Sequence, residues 1–158
     1  MLDTDLLPAP VMRHALDTLD RLAPPAQRIG LLHGDYRLPN MKWHEGRLSG
    51  ILDWELATVG DPLADIAFTQ TIGMGLCSVT GKLADRYCEQ TGIEIDERRL
   101  AYYRLLEMVK GSIVGRSGAY DLAHGGDDLR LLTVAAIATA GQPILVNLEE
   151  LLVQLLEA

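Results

Sequence analysis

Apolar residues at Val11, Met12, Ala15, Leu16, Leu19 and Leu22 recur with the spacing of one buried helical face, and Pro24-Pro25 closes that segment. The short apolar run from Ile29 to Leu32 predicts a buried strand ending at His33-Gly34-Asp35. Met41 to His44 and Leu48 to Trp54 predict two strands joined around Glu45-Gly46 as a hairpin. Gly60-Asp61-Pro62 marks a helix start: Asp61 can accept from free amides, and Pro62 at the first helical position lacks a donor that would be orphaned there. From there on the pattern is almost all helical. A short helix spans Thr80 to Gln90, with Gly92 placed for its C-terminal cap. Asp96 opens a long helix through Leu100, Tyr103, Leu106 and Val109, and Gly111, Gly115 and Gly118 in its later half predict a bend or close packing. Asp127 or Asp128 starts a helix over Leu129 to Ala140, and Pro143 starts the last one. The fold class is α+β and mostly helical: a small β hairpin near the start, then about five helices. No repeat or linker divides the chain, so 1–158 reads as a single domain.

Composition narrows the function classes. A chain of 158 residues buries roughly 68–70% of its unfolded surface and needs no disulfide or metal staple. Aromatics are 5%, so Leu, Ile, Val and Ala build the core, and Trp43 and Trp54 are expected within it. Fourteen basic against 22 acidic residues give a net charge of −8, which argues against a nucleic-acid or anionic-membrane partner, because counterion release needs clustered Lys and Arg. Cys77 and Cys88 make no framework and read as free thiols in a reducing compartment. The acidic start, Met1-Leu2-Asp3-Thr4-Asp5, is no signal peptide. The uncharged run from Leu131 to Leu148 is interrupted by Thr133, Thr139, Gly141, Gln142, Pro143 and Asn147, which makes it a poor membrane span. A cytoplasmic protein is expected. Glu107, Asp121, Asp127 and Asp128 form either a solvated face or a field that attracts a cationic ligand, and both readings stay open at this stage.

The chemistry concentrates in His33-Gly34-Asp35-Tyr36-Arg37-Leu38-Pro39-Asn40, Ile51-Leu52-Asp53-Trp54-Glu55 and Gly60-Asp61-Pro62-Leu63-Ala64-Asp65. Asn40 follows Asp35 by five positions and Asp53 follows Asn40 by thirteen. Asp35 and Asn40 sit on a loop between two strands, and Asp53 ends the second strand of the hairpin, so three oxygen-bearing side chains can converge at one sheet edge. Hard oxygen donors without His or Cys suit Mg²⁺, which keeps several waters and leans on substrate phosphates. A carboxylate beside such a metal can orient or deprotonate a hydroxyl nucleophile, the logic of phosphoryl transfer to an alcohol. Each piece alone has a plainer reading, as a turn, a loop cap or a helix start. The order and spacing carry the weight.

These motifs resemble the catalytic half of the aminoglycoside phosphotransferase and choline kinase group, relatives of the protein kinases. The pattern of that group is HGDxxxxN, then a hydrophobic strand ending in D-[FW]-[DE], then GDPxxDLA; here it reads HGDYRLPN, ILDWELATVGDP and LADIA. Within the group the chain is most similar to the kinase-like domains found with acyl-CoA dehydrogenases, where HGDFRxxN and LDWELxxxGDPLAD recur. The specific motifs cover Leu31 to Ala67.

The resemblance implies the C-terminal lobe of a protein-kinase-like fold, ATP as co-substrate, Mg²⁺ as cofactor, and a hydroxylated small-molecule acceptor. Asp35 would be the catalytic base and Arg37 would touch the transferred phosphoryl. Asn40 and Asp53 would bind metal and nucleotide phosphates, with Glu55 a further metal or water contact. His33, Asp61 and Asp65 would support the loop, Asp65 by reaching back to its backbone N–H groups. The chain departs from the group in one respect: the 32 residues before His33 hold one helix, and Gly30 is their one glycine. The N-terminal lobe with its Gly-rich loop and Lys–Glu pair is therefore expected to be absent, and Gly73-Met74-Gly75 reads as a helix end rather than a P-loop. Three states follow: a fragment of a phosphotransferase, an orphan lobe working with a partner chain, or a non-catalytic binding module. Little turnover is expected of the chain alone. An apolar last helix (Ile144, Leu145, Val146, Leu148, Leu151, Leu152, Val153, Leu155, Leu156) and the lobe-facing surface predict a homodimer.

Overall fold

The structure, a computed structural model, describes residues 10–73, 80–128, 132 and 150–156. The chain groups into two compact units: Pro24–Glu107 forms one, and the segments before and after it form the other.

In the Pro24–Glu107 unit, β1 (Gly30–Leu32) leads into a loop that closes with a 3₁₀ turn, Leu38–Asn40. β2 (Met41–His44) and β3 (Arg47–Ile51) follow, then a second 3₁₀ turn, Trp54–Leu56, and β4 (Thr58–Gly60). Helix α2 (Leu63–Phe68) runs into a π-helical turn, Thr69–Gly73. Helix α3 (Thr80–Thr91) and the N-terminal part of α4 (Glu97–Ala123) complete the unit. The β content is two antiparallel pairs, β1 with β4 and β2 with β3. The fold is α+β and mostly helical, as the pattern of apolar residues predicts.

The hairpin follows from its turn. Glu45 and Gly46 have φ of 49° and 74°, the left-handed pair that matches the twist of the strands they join. His44 pairs with Arg47 and Met41 with Ile51; Ser49 is the extra residue of a bulge, since Lys42 pairs with Gly50 and Trp43 with Leu48. Helix ends are equally local. Gly92 N donates to Cys88 O at 2.9 Å, and Asp96 Oδ1 accepts from Arg98 N at 2.8 Å and Arg99 N at 3.3 Å. The core of this unit is Leu63, Ile66 and Ala67 of α2 against Leu100 of α4, with Ala84, Tyr87, Ile95 and Tyr103 packed around them. Full burial of each Leu or Ile there is worth about 1.5–3 kcal/mol.

In the other unit, α1 (Pro10–Leu22) buries Met12, Ala15, Thr18 and Leu19. Met108 and Val109 of α4 are buried, as are Leu152 and Leu155 in the helical segment 150–156, whose Val153 and Leu156 are exposed.

Four expectations need correction. The strand expected buried over Ile29 to Leu32 begins at Gly30, and Ile29 and Leu31 are 62% and 66% exposed. Its partner β4 was not foreseen; Leu31 opposes Val59, which is also exposed, so two strands alone leave one apolar face uncovered. The strand expected to run to Trp54 stops at Ile51, because Leu52 N turns to Asn40 O at 2.8 Å and Asp53 adopts φ 66°, ψ 61°. Trp43 and Trp54 are 54% and 44% exposed rather than core. Glu107 is buried, so it belongs to no solvated face, whereas Asp121 and Asp127 are exposed. The expected helix over 129–140, apart from residue 132, lies outside the described residues, as do the beginning of the last helix, Cys77, and Met74 and Gly75. Among the described residues no helix is long and apolar enough to cross a membrane.

Candidate functional site

Residues 33–40 form a loop held by hydrogen bonds between its backbone and half-buried or buried side chains. Asp65, in the first turn of α2, accepts from His33 N at 2.7 Å through Oδ2 and from Gly34 N at 2.9 Å through Oδ1, so both carboxylate oxygens are spent on the loop. His33 is buried, and its Nε2 lies 2.8 Å from Leu52 O while Nδ1 accepts from Asp35 N at 3.2 Å. A carbonyl only accepts, so this arrangement assigns the proton to Nε2 and leaves Nδ1 as the acceptor. The Trp54 ring covers the imidazole with centroids 4.6 Å apart, and its Nε1 donates to Ile51 O at 2.9 Å. Gly34 has φ 81°, and a Cβ there would stand 2.4 Å from Leu56 O; no other residue fits without moving the backbone. Thr69 Oγ1 sits 2.8 Å from Tyr36 O and 2.9 Å from Asp65 O, fastening the far side of the loop to α2.

Asp35, Arg37 and Asn40 come together directly. Asp35 Oδ2 accepts from Arg37 Nε at 2.8 Å and from Asn40 Nδ2 at 2.7 Å, and the same Nδ2 lies 2.9 Å from Asp35 O. Asn40 is 7% exposed, the Asp35 side chain 17% and that of Arg37 45%. Asp35 Oδ1 and Asn40 Oδ1 carry no hydrogen bond among the described residues, so each keeps an acceptor oxygen in reserve.

No hydrogen bond joins the Asp53 side chain to this group among the described residues; its neighbour Leu52 is tied to the loop through backbone. Leu52 gives its N–H to Asn40 O and its carbonyl to His33, which fixes the start of the turn that carries Asp53. The exposed Asp53 and Glu55 carboxylates make no hydrogen bond or ion pair among the described residues. No group of three or more His, Cys, Asp or Glu able to hold a metal occurs there either. The hard oxygens of the Asn40 amide and the Asp53 carboxylate are of the kind that, with phosphate oxygens and water, could hold Mg²⁺.

Asp61 is buried at the α2 start. Its Oδ1 accepts from Leu63 N at 3.0 Å and its Oδ2 from Gln27 N at 3.1 Å and from Arg99 Nη2; Arg99 Nη1 donates to Gln27 Oε1. The phenol pKa of Tyr103, packed nearby, is raised above the ordinary 10.0, first by burial and then by the negative charge of Asp61. Sequence reasoning missed Arg99, Tyr103, Gln27 and Thr69. Arg99 reads locally as one of several charges in the first turn of α4, and its partners lie 72 and 38 positions away. Next to the loop, Tyr36, Asp65, Ile66, Leu83, Arg86 and Tyr87 line a cavity of about 240 Å³.

Known proteins resemble this chain in sequence and in fold. The sequence profile of the family described as "Phosphotransferase enzyme family" matches residues 1–109. Mouse acyl-CoA dehydrogenase family member 10 is 42% identical over 62 residues, 38% of this chain and 6% of that protein. Human acyl-CoA dehydrogenase family member 11 is 37% identical over 75 residues, 46% of this chain and 10% of that protein. The matches thus take in a small part of these relatives. A crystal structure described as a putative aminoglycoside phosphotransferase from Ralstonia eutropha JMP134 superposes with a TM-score of 0.72 at 20% identity, covering 96% of this chain and 51% of that one. The D198A form of a thermostable aminoglycoside phosphotransferase APH(4)-Ia, in ternary complex with ADP and hygromycin B, superposes with a TM-score of 0.53 at 21% identity, covering 85% of this chain and 44% of that one. The fold is therefore that of a lobe of these protein-kinase-like enzymes, about half the length of the solved neighbours.

Proposed function

Because the chain belongs to the phosphotransferase enzyme family, we propose that it carries the catalytic loop for Mg²⁺- and ATP-dependent phosphoryl transfer to a hydroxyl of a small molecule. The observation that carries this reading is the Asp35–Asn40 contact: one amide nitrogen holds the Asp35 carboxylate through Oδ2 and leaves Oδ1 of both residues without a partner among the described residues. In the reading, Asp35 Oδ1 accepts the proton of the acceptor hydroxyl as its oxygen bonds to the γ-phosphorus. The bond from that phosphorus to the bridging oxygen of ADP breaks, and ADP leaves with the electron pair. Arg37 offers guanidinium donors to the equatorial oxygens, where charge spreads in the transition state. Asn40 and Asp53 are the residues that would hold Mg²⁺, with Glu55 as a further water or metal contact. When bound, the metal neutralises charge on the nucleotide phosphates.

Support for the nucleotide comes from the APH(4)-Ia neighbour, whose complex holds ADP and a second small molecule. The cavity beside Tyr36 is where we place the body of the acceptor, since Tyr36 directly follows Asp35. Self-association belongs to the same proposal: Ile29, Leu31 and Val59 are 62%, 66% and 70% exposed, and exposed apolar patches mark interfaces.

The test combines binding and turnover. Thermal unfolding is followed with ATP, with Mg²⁺ and with both, and ADP release is followed over a panel of hydroxylated acceptors for the wild type and Asp35→Asn. A shift that needs both ligands is the expected result, with ADP release weak in this chain by itself and lost in Asp35→Asn. A shift without turnover points to a binding lobe. No shift with any combination, or turnover indifferent to Asp35→Asn, removes the proposal.

A further inference from the structure

The start of α2 holds more charge than a helix cap needs. Asp61 is 5% exposed, yet it meets three donors: Leu63 N, Gln27 N and the Arg99 guanidinium. The Arg99 side chain is 13% exposed and bridges Asp61 to Gln27, just ahead of β1. Two residues beyond Leu63 stands Asp65, whose carboxylate carries the His33 and Gly34 amides. One series of contacts therefore runs from Arg99 through Asp61, the first turn of α2 and Asp65 to the residues that precede Asp35, and all of it lies within Pro24–Glu107.

We propose that Arg99 is a positioning residue for the catalytic loop, acting through Asp61 and the first turn of α2. The chain of contacts stands on geometry alone; its meaning for catalysis rests on the reading of Asp35 given above. Helix α2 spans only Leu63–Phe68 before it becomes a π-helical turn, and a helix that short does not hold itself together. Its first turn depends on the carboxylate that caps it. Removing Arg99 leaves the Asp61 charge buried with neutral donors only, a state that is relieved when the carboxylate turns toward water. That turn loosens the bond to Leu63 N and, with it, the placement of Asp65. A guanidinium suits this position because its fork reaches Asp61 and Gln27 together, which an ammonium does not.

Amide hydrogen exchange of the full chain without nucleotide, resolved by residue, tests the proposal independently of any turnover. Three variants are compared with the wild type: Arg99→Met, Arg99→Lys and, as a control in the same unit, Leu105→Ala, which removes a fully buried apolar side chain that takes no part in these hydrogen bonds. Exchange at His33 and Gly34 is expected to rise about tenfold or more in Arg99→Met relative to the control at matched global stability, and by less in Arg99→Lys. Adding Asp61→Asn to Arg99→Met removes the unpaired charge and restores part of the protection. Exchange at these two amides that follows global stability alike in all variants overturns the proposal. If Arg99→Met does not fold, Arg99→Lys decides: a selective rise at His33 and Gly34 supports positioning, and none overturns it. Failure of the wild type to respond to Mg²⁺ and ATP would sink the phosphotransferase reading and leave this result standing.

Discussion

Asn40 Nδ2 lies 2.7 Å from Asp35 Oδ2 and 2.9 Å from the Asp35 carbonyl oxygen, so a single amide group orients the carboxylate and closes the loop that bears it. Asn40→Asp replaces this donor with a second anion against Asp35. The expected outcome is a fall in phosphoryl transfer of about 10²-fold or more, comparable to loss of a positioned acid–base group. Asp35→Asn should match that loss while leaving the thermal midpoint nearly unchanged, since the amide can turn its one oxygen to the Arg37 and Asn40 donors in place of Oδ2. Parallel kinetics and thermal unfolding of the two variants check both halves.

Gly34→Ala asks the backbone for what it cannot do. At φ 81° a Cβ falls 2.4 Å from Leu56 O, and the atom in the way is backbone rather than a flexible side chain. Strain of about 1–3 kcal/mol is expected. Denaturant unfolding should show it as a lower midpoint with an unchanged slope, and an unshifted midpoint would contradict the loop geometry.

Tyr103 gives a pH signature. Burial, then the charge of Asp61, disfavours its phenolate, so the folded pKa stands above 10.0. A proton held more tightly by the folded state means stability that is whole below about pH 10 and declines as pH rises through the folded value. Ultraviolet titration of the five tyrosines should show one ionising late, and Tyr103→Phe should remove that late step and flatten the alkaline loss of stability.

Leu31 and Val59 oppose each other across β1 and β4 with their side chains in solvent. Sedimentation at micromolar concentration should show concentration-dependent self-association, weakened by Leu31→Lys. A clean monomer at every concentration would remove the homodimer from the proposal.

Features set by neighbours in sequence were legible; those set by distant partners were not. Glu45-Gly46, the caps at Asp61 and Asp96, and the helices α1, α3 and α4 follow from turn chemistry and periodicity within a few residues. The loop from His33 to Asn40 was legible because its oxygen donors lie close together in the chain. Strand β4 was missed because three residues, Thr58–Gly60, carry no readable alternation. Hydrophobicity alone points Trp43 and Trp54 to the core, whereas Trp43 lies on a two-stranded sheet with a face left uncovered among the described residues, and Trp54 lies on the turn after β3. Arg99 escaped notice for a related reason: nothing beside it marks a guanidinium destined for burial against Asp61.

Asp53 occupies the left-handed region at φ 66°, ψ 61°, where among side-chain-bearing residues Asn and Asp are enriched and β-branched residues are outliers. That conformation screens substitutions before any chemistry does. In a saturation library at this position, the variants that keep the native turn should be Gly, Asn and the parent, while Val and Ile are lost to misfolding rather than to a missing charge. Asn is the informative survivor, because it retains the turn and discards only the negative charge. A loss of metal-dependent nucleotide binding in Asp53→Asn is therefore readable as electrostatics, whereas the same loss in Asp53→Val would confound steric and electrostatic causes.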